Sequence, residues 1–151
     1  TMSKLSDNPG AVVKNSSSYS NKINPGSAGT VGGSVQALIN MAASKVGSPY
    51  VWGAKGPNSF DCSGFVYWCL NRVGIRQSYL TSSGWRSIGK YKKITRYDDV
   101  QAGDIIVEKG HMGIVAENGK VIDASSGNGK VVYRKRSGWW RDNFIVAWRI
   151  Y

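Results

Sequence analysis

The sequence predicts an α+β domain in which N-terminal helices pack on an antiparallel sheet of about five to six strands. Apolar residues keep helical spacing in two stretches of the first half, at Val35, Leu38, Ile39, Ala42 and Val46, and at positions 62, 65, 66, 69, 70 and 73. The second half breaks instead into short β-rich runs: Tyr91 to Thr95, Asp104 to Glu108, Met112 to Ala116, Lys120 to Ala124, Val131 to Arg134 and Phe144 to Ile150. Gly, Asn and Asp separate them. Helices first and strands afterwards is the order of an α+β fold.

Ahead of both halves, residues 1–33 are dominated by Gly, Ser and Asn, with Pro9 and Pro25 and no periodicity. That is linker composition, and the segment reads as a tether or tail from a larger chain. The folded domain is then expected over 34–151. Its length, with 41% hydrophobic residues, 6 Trp and 8 Tyr, suits one core that needs no disulfide to fold. Thr1 ahead of Met2 reads as a cloning remnant, so the first residues' lack of a signal-peptide pattern carries no information about export, and a signal, an anchor or an upstream domain could have been cut away.

Ser34 is placed to cap a first helix that runs to Gly47 and Pro49. Tyr50-Val51-Trp52-Gly53 forms a short apolar link, and the loop from Gly53 to Asn58 delivers the chain to Phe60-Asp61-Cys62-Ser63-Gly64-Phe65. There a second helix begins, with Asp61 or Ser63 as its cap and Gly74 as its natural terminator. Cys62 therefore stands at a helix N-terminus, where unpaired N–H groups and the helix dipole favour an anion. Free thiols titrate near about 8.5, and such positions lower that value. Cys69 lies on the same helix face about 10.5 Å further along the axis, too far for a disulfide, and reads as a small core residue. Thr81-Ser82-Ser83 can cap a short third helix through Trp85 and Ile88. Trp52, Trp85, Trp139 and Trp140 could line a cleft, but the core is the commoner place for aromatics in a domain of this size, and they are assigned no role.

His111 is the sole histidine, and it precedes a hairpin that brings Asp123 back towards it. Side chains alternate along a strand, so the loop length decides whether the two meet. A two-residue loop at Asn118-Gly119 would put Asp123 on the wrong face. A three-residue loop, with Gly119 left-handed in a bulge, pairs Ala116 with Lys120 and makes His111 and Asp123 diagonal neighbours on one face. The three-residue loop is the expectation. Cys62, His111 and Asp123 would then supply nucleophile, base and orienter, the set used by cysteine peptidases. A structural zinc site, the rival use of Cys and His, takes about four closely spaced ligands, which two Cys and one His do not provide.

Lys and Arg outnumber Asp and Glu by 20 to 9, a formal charge of +11. An anionic partner surface is implied; nucleic acid, anionic lipid and a polyanionic cell wall all fit the charge. The small basic clusters at Lys90, Lys92 and Lys93 and at Arg134, Lys135 and Arg136 carry no nucleic-acid motif. No apolar run approaches the length of a membrane span.

These residues in this order resemble the NlpC/P60 cell-wall cysteine peptidases, bacterial relatives of the papain-like fold. Tyr50-Val51-Trp52-Gly53 with Phe60 to Phe65 resembles the family's nucleophile segment, and Ala102-Gly103-Asp104-Ile105-Ile106 its Pro-Gly-Asp strand entry. His111-Met112-Gly113-Ile114-Val115 is similar to its His-Val-Gly-Ile motif. Asn118-Gly119-Lys120 with Ile122-Asp123-Ala124-Ser125 resembles the next strand, and Trp140-Arg141 to Arg149 the closing segment. The likeness runs from about Val35 to the C-terminus. Asp123 is the main departure, because members often carry His there; a carboxylate can accept the imidazole N–H equally well.

The resemblance implies a secreted or wall-associated peptidoglycan hydrolase that acts on stem peptides, usually between γ-D-glutamate and the following diamino acid, without metal or cofactor. Catalysis would fall to Cys62, His111 and Asp123. Tyr50 would supply an oxyanion donor beside the Cys62 N–H, and Asp61 and Ser63 would contact substrate or cap the helix. Anionic wall polymers and an upstream glycan-cleaving or wall-binding domain are the expected partners of a monomer. An amidase or other acyl-transfer enzyme on the same fold, or an inert wall-binding module, is the alternative.

Overall fold

The computed structural model describes residues 34–151; the expected tether, 1–33, lies outside the described residues. Ser34 caps α1 (Val35–Ala43) by accepting the Ala37 N–H at 2.9 Å. The expected helix ends early, because Lys45 and Val46 hydrogen-bond three residues back and the chain leaves in tight turns towards Gly47. The second helix, α2 (Cys62–Arg72), has Asp61 as N-cap and Val73 as C-cap, with Gly74 next in the chain as expected. Thr81 caps α3 (Ser82–Trp85), a single turn.

Six strands complete the domain: β1 (Lys92–Ile94), β2 (Ile105–Glu108), β3 (His111–Val115), β4 (Lys120–Ser125), β5 (Lys130–Lys135) and β6 (Phe144–Arg149). They form one antiparallel sheet in the order β1-β6-β2-β3-β4-β5, so the last strand crosses back to lie between the first two. All six lie within a residue or two of where the sequence puts them. Two short elements were not expected, a 3-10 turn at Tyr97–Asp99 and α4 (Gly138–Asp142). Each is barely one turn, too short for an apolar period to show.

Alternation along the strands divides the buried residues between two faces. Ile105, Val107, Met112, Ile114, Ile122 and Ala124 join Leu38, Ile39, Phe65, Val66, Cys69 and Leu70 of α1 and α2 in the main core. Full burial of such side chains contributes roughly 1.5–3 kcal/mol each. Ile106, Val115 and Val121 occupy the alternate positions and make a smaller cluster with Trp140.

The β3-β4 hairpin has the three-residue loop. Ala116 donates its N–H to the Lys120 carbonyl at 2.9 Å, and Ile114 pairs Ile122 while Val115 pairs Val121. Asn118 and Gly119 both take left-handed backbone angles, φ 59° and 72°, which Gly and Asn accept more readily than other residues. Continuing this register places Asp123 opposite Gly113, one diagonal step from His111.

Candidate active site

The nucleophile side is built from one contiguous segment. Asp61 accepts the Gly64 N–H at 2.6 Å through one oxygen and the Gly53 N–H at 2.9 Å through the other, so a single carboxylate caps α2 and ties down the loop before it. The Asp61 N–H in turn donates to the Ala54 carbonyl. A Cβ at Gly64 would run into that same carbonyl oxygen, so only glycine allows the loop to lie this close to the helix start. Tyr50 and Phe60 are bridged through backbone hydrogen bonds from Val51 and Phe60, which keeps Tyr50 beside the helix. Cys62, half-buried and free, projects from the first helical position. Burial and the negative charge of Cys62 and Asp61 push the Tyr50 phenol up from its ordinary value, so its hydroxyl stays a donor.

The base side is assembled across three strands. His111, at the start of β3, donates from Nε2 to Asp123 Oδ2 at 2.7 Å, which leaves Nδ1 as the ring atom for Cys62. The imidazole is hydrogen-bonded to Asp123, and Cys62 is the other side chain close enough to favour its charge. Burial of the ring disfavours its charge, but the bond to Asp123 and the negative charge of both neighbours outweigh burial and push it up to about 9. Asp123 is fully buried and also receives Arg134 in bidentate form, Nε to Oδ1 at 3.0 Å and Nη2 to Oδ2 at 2.6 Å. Its two oxygens thus accept three charged or polar N–H groups, the condition for holding a carboxylate inside a protein. Arg134 lies over Trp140, and the imidazole stands 5.4 Å from Trp140 and 6.1 Å from Trp139. Gly113 makes the approach possible: a Cβ there would meet the Asp123 Cβ at 3.0 Å.

A thiol at a helix start, an imidazole beside it and a buried carboxylate behind it can carry out acyl transfer through a covalent thioester. The NlpC/P60 family model matches residues 47–149, which includes all three. The chain belongs to the NlpC/P60 family. Among its curated relatives, a protein of Corynebacterium glutamicum named "Probable endopeptidase" is 42% identical over 92 residues, 59% of this chain and 42% of that protein. The "Bifunctional muramidase/DL-endopeptidase CwlT" of Bacillus subtilis is 32% identical over 124 residues, 76% of this chain and 36% of its own length. The chain therefore spans well under half the length of these relatives. Among solved structures, the NlpC/p60 domain of the peptidoglycan hydrolase SagA is 26% identical with a TM-score of 0.64, over 76% of this chain and 97% of that one. The peptidoglycan hydrolase RipB of Mycobacterium tuberculosis is 27% identical with a TM-score of 0.62, over 77% and 64%.

Within this NlpC/P60 domain the six residues singled out in the sequence fall at or beside one site. Asp61 serves as the helix cap, and it is 8% exposed. Ser63 is 4% exposed, its hydroxyl shared with Tyr79 at 2.9 Å and with Asp61. The sequence marks Arg134 only as one of a basic cluster, yet it holds Asp123, the residue expected to orient the imidazole. Trp85 and Trp140 are buried as expected, but Trp52 and Trp139 are exposed, and Trp139 stands beside His111. The doubled Trp in a one-turn helix offers no period from which to tell the inward ring from the outward one.

Proposed function

We propose that this domain is a cysteine endopeptidase of peptidoglycan stem peptides, cleaving between γ-D-glutamate and the next residue, the diamino acid. The observation that supports it most is the bond between His111 and the buried Asp123, with Cys62 beside the ring at the start of α2. Cys62 attacks the scissile carbonyl as the thiolate of a thiolate–imidazolium pair. The Cys62 backbone N–H and the Tyr50 hydroxyl receive the developing oxyanion. His111 returns its proton to the leaving amine, and water directed by the same ring then releases the acyl group from Cys62. Asp123 acts through His111, fixing the ring with Nδ1 towards the thiol. Asp61 and Ser63 hold the helix start, and we place the γ-D-glutamyl portion on that side of Cys62. The names of the relatives support the substrate class. The net charge of +11 suits work outside the cell on a wall rich in anionic polymer, with a glycan-cleaving or wall-binding domain upstream.

Mass spectrometry of diaminopimelate-type and lysine-type peptidoglycan fragments, digested by wild type and by Cys62→Ala, tests this directly. New termini at the γ-D-glutamyl bond that vanish with the variant are expected. Cleavage at the lactyl-alanine bond would make the enzyme an amidase, and intact fragments with both proteins would leave a wall-binding module.

A further inference from the structure

The net charge is not spread evenly along the chain. Residues 62–97 hold seven Lys and Arg and no Asp or Glu, whereas the rest of the described chain holds ten and eight. Most of the excess charge of the described domain therefore lies in one stretch, from the start of α2 to just beyond β1. Like charge gathered without counter-charge works against the compact state, so a partner outside the chain is the natural counterpart of such a stretch.

Packing turns four of these seven cations into one surface. Lys93 stands opposite Trp148 across the β1-β6 pair, on the same face. The Trp148 indole N–H donates to the Trp85 carbonyl at 2.6 Å, and Arg86 is the next residue. The Trp85 ring stacks on Tyr91 with centroids 6.1 Å apart, and the Tyr91 hydroxyl donates to Gln77 Oε1 at 2.5 Å. Beside Gln77, the Arg76 carbonyl accepts the Lys90 ammonium at 3.1 Å. Three packed aromatic rings and one buried amide thus fasten Arg76, Arg86, Lys90 and Lys93 along the β1 edge of the sheet, and all four are exposed. None of the four pairs with a carboxylate among the described residues. Lysines on an edge strand also discourage edge pairing, but Arg76, Arg86 and Lys90 lie off the strand, where that purpose does not reach.

The composition of the surface narrows the partner. The exposed large apolar side chains are Val51, Trp52, Tyr133, Trp139 and Tyr151, and none falls within 62–97. A single nucleic-acid strand is gripped by aromatic rings on which its bases stack, and a membrane surface by apolar side chains that enter it. This stretch exposes neither, which leaves attraction to a repeated anion that carries no bases and no acyl chains. We propose that the β1 edge is an exosite for a polyol-phosphate polymer of the cell wall, with Arg76, Arg86, Lys90 and Lys93 facing its phosphates. The proposal rests on the wall setting named above but not on the bond cleaved. Two strands, β6 and β2, separate β1 from the strand that carries His111, and none of the four cations belongs to the catalytic set, so the polymer would hold the domain to the wall without occupying the cleft.

The test compares the full chain with a variant carrying Arg76→Gln, Arg86→Gln, Lys90→Gln and Lys93→Gln. A control loses the same charge elsewhere, through Lys109→Gln, Lys120→Gln, Lys130→Gln and Lys135→Gln. Each protein is sedimented at about 0.15 M salt with purified walls that carry poly(glycerol phosphate), and with the same walls after hydrofluoric acid has removed that polymer. Stripping should weaken wild type and control by about tenfold or more. The β1-edge variant should bind intact walls about 10- to 100-fold more weakly than wild type and be indifferent to stripping. Equal losses in the two variants would show that net charge alone attracts the wall, and equal wild-type binding to intact and stripped walls would show that phosphate is not the ligand; either result overturns the exosite. Tighter wild-type binding to a DNA oligonucleotide or to phosphatidylglycerol vesicles, lost in the β1-edge variant, would overturn it in favour of that partner. Hydrolysis of soluble L-Ala-γ-D-Glu-diamino acid peptides separates this from the parent reading, and the β1-edge variant should match wild type there. Wall binding as expected without peptide cleavage keeps the exosite and discards the endopeptidase, whereas cleavage without the binding difference does the reverse.

Discussion

The two halves of the site are made in different ways. The nucleophile half is local: within fifteen residues, 50–64, one carboxylate, two glycines and a stretch of backbone hydrogen bonds set Cys62 at the start of α2. The base half is long-range and charged, with His111, Asp123 and Arg134 contributed by three successive strands and held in a single ion-pair series. The first half depends on space, since its parts approach too closely for any added atom. The second depends on charge and register, and a shift of one residue in either hairpin would dismantle it.

The sharpest way to break the charged half is Asp123→Asn. It keeps the shape but removes the negative charge that raises His111. We expect kcat/KM to fall by about 10²–10⁴-fold, roughly 3–5 kcal/mol. The alkaline limb of the pH–rate profile should also move down from its position near the imidazolium limit of about 9, because the ring loses the partner that favours its charge. A profile with an unchanged alkaline limb would show that Asp123 only positions the ring sterically, and the distinction between the halves would fail.

The contrast is tested next by a pair of glycines, one in each half. Gly64→Ala should cost about 3 kcal/mol or more in urea unfolding, since the obstruction is the Ala54 backbone carbonyl, held in place by the Asp61 N–H and unable to yield. Gly113→Ala meets contacts of 3.0 to 3.1 Å, which small shifts can relieve, so its stability cost should be nearer about 1 kcal/mol. Its activity should drop disproportionately, because the relief comes from moving Asp123 away from His111. Equal ratios of lost activity to lost stability in the two variants would contradict this.

The same contrast explains what could be read from the sequence. Asp61, Cys62 and the cap were legible because a helix start is a local event with local signals. Asp123 could be reached across one hairpin because Glu117-Asn118-Gly119 betrays its loop length. Arg134 could not. It stands diagonal to Asp123 across a second strand pair, with Val121 opposite Arg134 and Asp123 opposite Val132. The connection that sets this register, Ser126 to Gly129, holds polar and glycine residues that fit several turn lengths equally. Glu108 was equally opaque: the sequence shows it only as the last residue of a strand, yet it is fully buried with no hydrogen-bond partner for either oxygen among the described residues.

Glu108 is where the charged half carries a cost. It sits directly across from His111 in the sheet, on the same face. Burial pushes its carboxyl up to about 8, against the pull of the His111 and Arg136 charges. A carboxyl raised in the folded state binds its proton more tightly there than in the unfolded chain. Its stabilising share is therefore complete below the ordinary value of 4.5 and is lost as pH rises from there through about 8. His111 has the same sign over a later window, since its share is complete below 6.5 and lost as pH passes about 9. Both groups make the domain less stable towards alkaline pH. Glu108→Leu removes only the first, and should stabilise the domain by about 2 kcal/mol at pH 9 and much less at pH 4.5, measured by urea unfolding at both. A gain of equal size at the two pH values would mean that leucine merely packs better. A loss at pH 9 would mean that Glu108, once ionised, supports the imidazolium from across the strand and belongs with Asp123 in the charged half of the site.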